Sequence, residues 1–197
     1  KLHKGVEMTL GVLGEVLDGQ FEMSERRMIR CALERDGEKV LSAIGLNDVV
    51  VSRGALSRLI TLDLEVDGEK VTTYRADGLI VATPVGSTAH SLAAGGPILC
   101  PELHALIITP ICPHTLSNRP IVLPGCSGLT LAVQGGAERS ALTVDGQVNR
   151  ELVPGDRVRV NCADEPLKLI TTGRHTFFDT LRNKLDWRGQ PRYVKDV

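Results

Sequence analysis

The chain runs to 197 residues with a formal net charge of -1, 42% hydrophobic and 24% charged residues, the make-up of one globular domain with room for terminal appendages. So little net charge argues against a strong nucleic-acid or anionic-membrane binder, and no apolar run reaches membrane-spanning length. The five cysteines Cys31, Cys100, Cys112, Cys126 and Cys162 are odd in number with no C-x-x-C pair, which reads as buried, reduced thiols in a cytosolic protein.

With aromatic residues at 3%, the core has to be built mainly from Val, Leu, Ile and Ala. Val6, Leu10, Leu13 and Leu17 recur at helical spacing and predict a short amphipathic helix that ends near Gly19. From Phe21 the texture turns to strands. Residues 24–34 and 39–53 predict two strands joined across Asp36-Gly37. Residues 62–66 and 71–74 predict a hairpin across Asp67-Gly68, because Asp-Gly supplies the positive φ angles that a two-residue turn requires. Further strands are predicted over 79–83, 105–109, 129–133, 141–144, 156–161 and 167–171. Pro124-Gly125, Gly135-Gly136, Asp145-Gly146 and Pro154-Gly155 mark turns between them. So many short strands point to a mainly β protein of stacked sheets, a β-sandwich or a relative of one. A last helix carries Phe177, Leu181 and Leu185 on one stripe, with Phe178 and Trp187 close by. Asp179, Arg182, Asn183 and Lys184 lie opposite. Its apolar stripe needs a partner, on the β domain or outside this sequence.

The densest feature is residues 77–97, D-G-L-I-V-A-T-P-V-G-S-T-A-H-S-L-A-A-G-G-P. A buried-type strand over 79–83 leads through a turn at 84–86 into a predicted two-turn helix that runs to Ala94, with Ser87 or Thr88 as N-cap. Gly95-Gly96-Pro97 stops it. Such a helix start offers unpaired N–H groups to a polar ligand such as a nucleotide, and Ser87, Thr88 and Ser91 add hydroxyls. The same residues also fit an ordinary strand–turn–helix connection. The stretch is no P-loop, since no Lys follows the glycine, and it lacks a full G-x-G-x-x-G. Asn47-Asp48 and Asp145-Gly146 each read as a turn or as part of a site. Cys112 and His114 are too few ligands for a metal centre.

Residues 77–97 resemble the D-G-x-x-x-x-T-P-T-G-S-T-A-Y-x-x-x-x-G-G-P-I motif of NAD kinases. Four more segments agree in order: G-L-N-D-V-V-V-S-R-G at 45–54, I-T-P-I-C-P-H-T-L-S-N-R-P at 108–120, T-V-D-G-Q at 143–147 and L-R-N-K-L-D-W at 181–187. The resemblance implies the C-terminal β domain of the NAD kinase and diacylglycerol kinase-like fold, with short helices at both ends. It implies transfer of the γ-phosphoryl group of ATP, or of polyphosphate, to the 2′-hydroxyl of the adenosine ribose of NAD, giving NADP. A divalent metal, Mg2+ with ATP, would assist, with no tightly bound cofactor. Positioning and charge neutralisation dominate such chemistry.

Carried over by the resemblance, Asn47 and Asp48 contact ribose hydroxyls, and Thr88 and Ala89 hold the adenine edge. Asp77 addresses a nucleobase amino group, often in a neighbouring subunit's site. Ser87 and Ser91 belong to the same substrate-binding stretch. His90 stands where the family usually has Tyr, and its imidazole can still stack on a base. Val85 replaces the usual Thr or Ser. Asp145 and its turn border the site.

The family's N-terminal α/β domain carries a G-G-D-G motif, whose Asp is the proposed general base. No such motif occurs in these 197 residues; the nearest string is Gly135-Gly136-Ala137-Glu138. No catalytic residue is therefore expected within the chain, which is expected to bind NAD weakly and not to turn over alone. Residues 1–20 read as a remnant helix of that other domain, 21–172 as the NAD-binding β domain, and 173–197 as a tail that packs on the other domain. A cytoplasmic homodimer or homotetramer is expected, binding neither nucleic acid nor membrane. The competing readings are a non-catalytic nucleotide-binding regulatory module derived from the family, and a β-sandwich interaction domain unrelated to nucleotides.

Overall fold

A computed structural model describes residues 2–54, 59–115, 117–135, 140–171, 173 and 176–187. The chain divides into two units, Lys1–Ser24 with Lys168–Val197, and Glu25–Leu167. The first unit opens with α1 (Leu2–Leu17). It also holds most of a two-stranded sheet, β1 (Glu22–Arg26) beside the last strand of the chain.

In the second unit the order is β2 (Ile29–Arg35), β3 (Glu38–Gly45), β4 (Asp48–Arg53), β5 (Ile60–Val66), β6 (Glu69–Ala76) and β7 (Gly78–Ala82). The single-turn α2 (His90–Ala93) follows, then β8 (Ala105–Ile111), β9 (Ile121–Pro124), β10 (Leu129–Val133), β11 (Ser140–Val144), β12 (Val148–Leu152) and β13 (Arg157–Cys162). The chain closes with β14 (Leu167–Thr171), the partner of β1, and α3 (Phe177–Lys184). A capping box starts α3: Thr176 Oγ1 accepts from the Asp179 N–H while the Asp179 carboxylate accepts from the Thr176 N–H. Leu181 is buried, whereas Phe178 and Trp187 are exposed.

Two six-stranded antiparallel sheets make the second unit, in the orders β3-β2-β13-β10-β5-β6 and β12-β11-β4-β7-β8-β9. Between them lies a core rich in Leu, Ile and Val, including Ile29, Leu33, Leu62, Leu64, Leu131 and Val158. The expected stacked-sheet architecture holds. Strand alternation sorts the side chains. In β4, Val49 and Val51 enter this core, and so do Leu79 and Val81 of β7. Val50, Ile80, Ala82 and Ile107 face the other way and form a second cluster under Ala94 and Leu99. That is why β7 is buried on both faces although its sheet is antiparallel.

Three Asp-Gly pairs form tight hairpins with positive φ at both residues: Asp36 and Gly37 (52° and 82°), Asp67 and Gly68 (52° and 85°), and Asp145 and Gly146 (49° and 68°). Asp77-Gly78 does not. There the chain leaves β6 in one sheet and enters β7 in the other.

The predicted strands were too long in two places. Residues 24–34 divide into β1 and β2, and 39–53 divide into β3 and β4 at Leu46-Asn47, where the chain again changes sheets. Two strands, β9 and β12, had no clear signal: β9 is bracketed by Pro120 and Pro124, and the middle of β12 is Asn149-Arg150-Glu151, all exposed. The expected burial of the cysteines holds for Cys31 but not for Cys112 and Cys126, which are exposed. The two-turn helix is also corrected. Residues Gly86–Thr88 form a 3-10 turn, Ala89 breaks it with φ -105° and ψ -127°, and α2 spans four residues with no side-chain cap. Gly136 of the Gly135-Gly136 turn, Thr172 and residues 188–197 lie outside the described residues.

Candidate functional site

The site grows from the point where β3 hands over to β4. A chain that changes sheets loses its ladder partners, so the N–H and C=O groups of residues 46–48 need others. Asp145 takes three N–H groups on one carboxylate: Leu46 at 2.6 Å on Oδ2, and Asn47 at 2.8 Å and Asp48 at 3.0 Å on Oδ1. The Asp145 N–H donates back to the Asp48 carbonyl at 3.0 Å. From the other side, Thr83 donates its Oγ1 to the Leu46 carbonyl at 2.6 Å and its N–H to the Asn47 carbonyl at 2.9 Å. Thr83 Oγ1 then accepts the Gly86 N–H at 3.1 Å. Gly86 has to be glycine, since a Cβ there would stand 2.0 Å from the Asn47 carbonyl oxygen.

Beside this junction lies a pocket of about 430 Å³. Its floor is the outward face of β4, where alternation puts Asp48, Val50 and Ser52 in a row, together with Thr143 of β11. Asn47 and the Asp145-Gly146 turn line one end, and Ala89 and His90 form the wall. Asp48 is 6% exposed. Burial pushes its carboxyl above the ordinary range; the His90 ring pulls it part of the way back, and the Asp145 carboxylate adds a further push upward. The result is a small cleft that offers one carboxylate acceptor, one amide that both donates and accepts, and a flat ring.

The sequence-predicted residues fall into two groups. Asn47, Asp48, Ala89 and His90 converge on the pocket although some forty positions separate the two pairs. Ser87, Thr88, Ser91 and Asp77 are not among its lining. Ser87 is fully buried, its hydroxyl donating to the Pro84 carbonyl at 2.6 Å and accepting the Leu99 N–H at 3.1 Å. Ser91 is fully buried against Thr109 Oγ1 at 2.9 Å. These two hydroxyls brace the fold around α2. Thr88 Oγ1 points to the Val85 carbonyl at 3.4 Å. Asp77 pairs with Arg53 Nε at 2.9 Å. Asp145 and Gly146, expected as a turn bordering the site, line it, whereas Val50, Ser52 and Thr143 were not anticipated. Counting two and four residues on from Asp48 along its strand would have found Val50 and Ser52.

Among the described residues, no three of His, Cys, Asp and Glu gather where they could hold a metal ion. Both Asp145 oxygens are already engaged by backbone N–H groups.

Residues 46–172 match the family model described as the ATP-NAD kinase C-terminal domain. The NAD kinase of Geotalea daltonii is 48% identical over 175 residues, which cover 89% of this chain and 62% of that protein. The NAD kinase of Geobacter sulfurreducens is 49% identical over 176 residues, with 89% and 62% covered. The chain thus spans about three fifths of the length of the curated relatives it matches. Yeast NADH kinase, solved in complex with NADH, superposes with a TM-score of 0.89 at 31% identity, covering 96% of this chain and 56% of the yeast chain. An NAD kinase from Archaeoglobus fulgidus, solved with ATP, gives a TM-score of 0.73 at 24% identity over 88% of this chain and 64% of its own, a likeness of fold.

Proposed function

Since this chain belongs to the ATP-NAD kinase family through its C-terminal domain, we propose that it is the NAD-binding part of an enzyme that phosphorylates NAD to NADP. The observation that carries the proposal is the Asn47-Asp48 pair, fixed at the pocket by hydrogen bonds from both sides.

A ribose presents two vicinal hydroxyls, each able to donate and accept. Asp48 in its ionised form accepts, and Asn47 does both, so the pair suits a diol better than two carboxylates would. The Ala89 methyl leaves room for a flat base, and the His90 ring offers it a face. Transfer then needs the 2′-hydroxyl oxygen to attack the γ-phosphorus in line. The bond to the β-phosphate oxygen breaks, ADP leaves, and the hydroxyl proton passes to a base. The G-G-D-G motif that would supply this base in the family is not in these 197 residues, so the chain's own part is to hold and orient the acceptor. A divalent cation such as Mg2+ enters with the phosphates of the donor, ATP or polyphosphate, as part of the substrate.

The working protein in this reading is a cytoplasmic homodimer or homotetramer. Among the described residues no helix is long and apolar enough to cross a membrane.

Isothermal titration of the chain with NAD tests the reading. Saturable binding is expected, and Asn47→Ala is expected to weaken it by roughly tenfold or more, the loss of a paired polar contact in a desolvated site. Equal affinity in the two proteins would contradict it.

A further inference from the structure

We propose that Asp145 is a positioning residue for nucleotide recognition: its carboxylate sets the backbone that presents Asn47 and Asp48. The proposal rests on the NAD-binding reading of the pocket and deepens it.

Three observations carry it. First, Leu46 and Asn47 lie between two strands of different sheets, so neither ladder supplies partners for their N–H groups. Asp145 supplies both, and the Asp48 N–H as well. Second, the carboxylate is held in place by the hairpin in which it sits. Asp145 sits at φ 49° in a hairpin whose strands β11 and β12 pair in register from Val144 with Val148 to Ser140 with Leu152. β11 also pairs with β4 through Val144 and Val49. The turn and the strand it organises are therefore parts of one sheet. Third, there is no room for the junction to relax toward β3. A Cβ on Gly45 would meet Val144 Cγ1 at 2.8 Å and Asp145 Oδ1 at 2.9 Å.

The chemistry of the group matters as much as its place. Three N–H donors need an acceptor with two oxygens and no hydrogen of its own, which a carboxylate is and an amide is not. In Asp145→Asn one oxygen becomes an NH2 group facing an N–H, so at least one of the three contacts is replaced by a clash of donors. The backbone of residues 46–48 then shifts, and the Asn47 and Asp48 side chains shift with it. Asp145 acts through them and need not touch the ligand.

Asp67 provides a matched control. It too is an Asp with φ 52° in an Asp-Gly hairpin, and its carboxylate accepts a backbone N–H, that of Gly128 at 2.7 Å. It is not among the lining of the pocket.

The test compares the 197-residue chain with Asp145→Asn and Asp67→Asn by NAD titration, by thermal unfolding, and by amide hydrogen exchange of residues 46–48. Both variants are expected to lower Tm. Only Asp145→Asn is expected to raise the NAD Kd, by about tenfold or more, and to speed exchange at Leu46, Asn47 and Asp48. If Asp145→Asn does not fold, Asp145→Glu takes its place, since it keeps the charge but moves the oxygens by one methylene. An NAD Kd within twofold of the parent's, at lowered Tm, means that Asp145 is merely structural and overturns the inference. Unchanged exchange at the three amides overturns it too. A parent chain that never binds NAD overturns the binding reading instead, and the exchange data still judge the backbone clamp.

Discussion

Asp48 shows a conflict between stability and binding in a single side chain. Its carboxyl titrates above the ordinary range because it is buried, with His90 offsetting part of the effect. The folded chain therefore holds this proton at pH values where the unfolded chain has lost it. Stability falls as pH rises from the ordinary carboxylate range through the raised value, and stays at the lower level above it. The ionised form is the stronger acceptor for ribose hydroxyls, so NAD affinity should rise over the same window. Asp48→Asn is expected to raise Tm at neutral pH, to flatten this part of the pH profile, and to weaken NAD binding. Thermal unfolding and titration at several pH values check all three. A variant with lower Tm and unchanged affinity would show that Asp48 is ionised at no cost and serves only the fold. At this scale the motif was only half legible. Asn47, Asp48, Ala89 and His90 reach the pocket, but Ser87 and Ser91 carry the same hydroxyl chemistry in the same stretch and turn inward. Sequence spacing tells which residues share a turn. It does not tell where the helix breaks, and the break at Ala89 decides which side chains face out.

Elements were legible wherever a turn demanded special backbone. Asp36-Gly37, Asp67-Gly68 and Asp145-Gly146 all adopt the positive φ that their chemistry favours. The break between β3 and β4 was marked only by Gly45 and the turn-prone Asn47-Asp48 pair, and the apolar residues on either side made the whole stretch read as one strand; a change of sheet itself leaves no trace in composition. Gly86 and Gly37 separate two reasons for glycine. At Gly37 there is open space but φ is 82°, so Gly37→Ala should cost about 1 kcal/mol of conformational strain. At Gly86 an added methyl meets the Asn47 backbone, which cannot swing aside, so Gly86→Ala should cost roughly 3 kcal/mol and also weaken NAD binding by displacing Asn47. Denaturant unfolding ranks the two. The order reversed, or affinity untouched in Gly86→Ala, would mean that the junction is softer than its contacts indicate.

For the molecule as a whole, the sandwich serves as a frame that brings three distant stretches to one cleft: residues 47–52 from the sheet crossover and β4, 89–90 from the break before α2, and 143–146 from the β11 end. The two-layer architecture was readable from strand count and turn spacing, since each sheet buries one face against the other. The convergence was not, because it depends on strand order, with β11, β4 and β7 adjacent although they are far apart in sequence. Titrating the isotope-labelled chain with NAD and following its backbone amide resonances tests the central claim most directly. The expected result is saturable shifts at Asn47, Asp48, Ala89, His90, Thr143 and Gly146, with little change on the far sheet around Arg157 and Arg159. Shifts confined to that far sheet, or none at any NAD concentration, would contradict the assignment of this cleft as the nucleotide site.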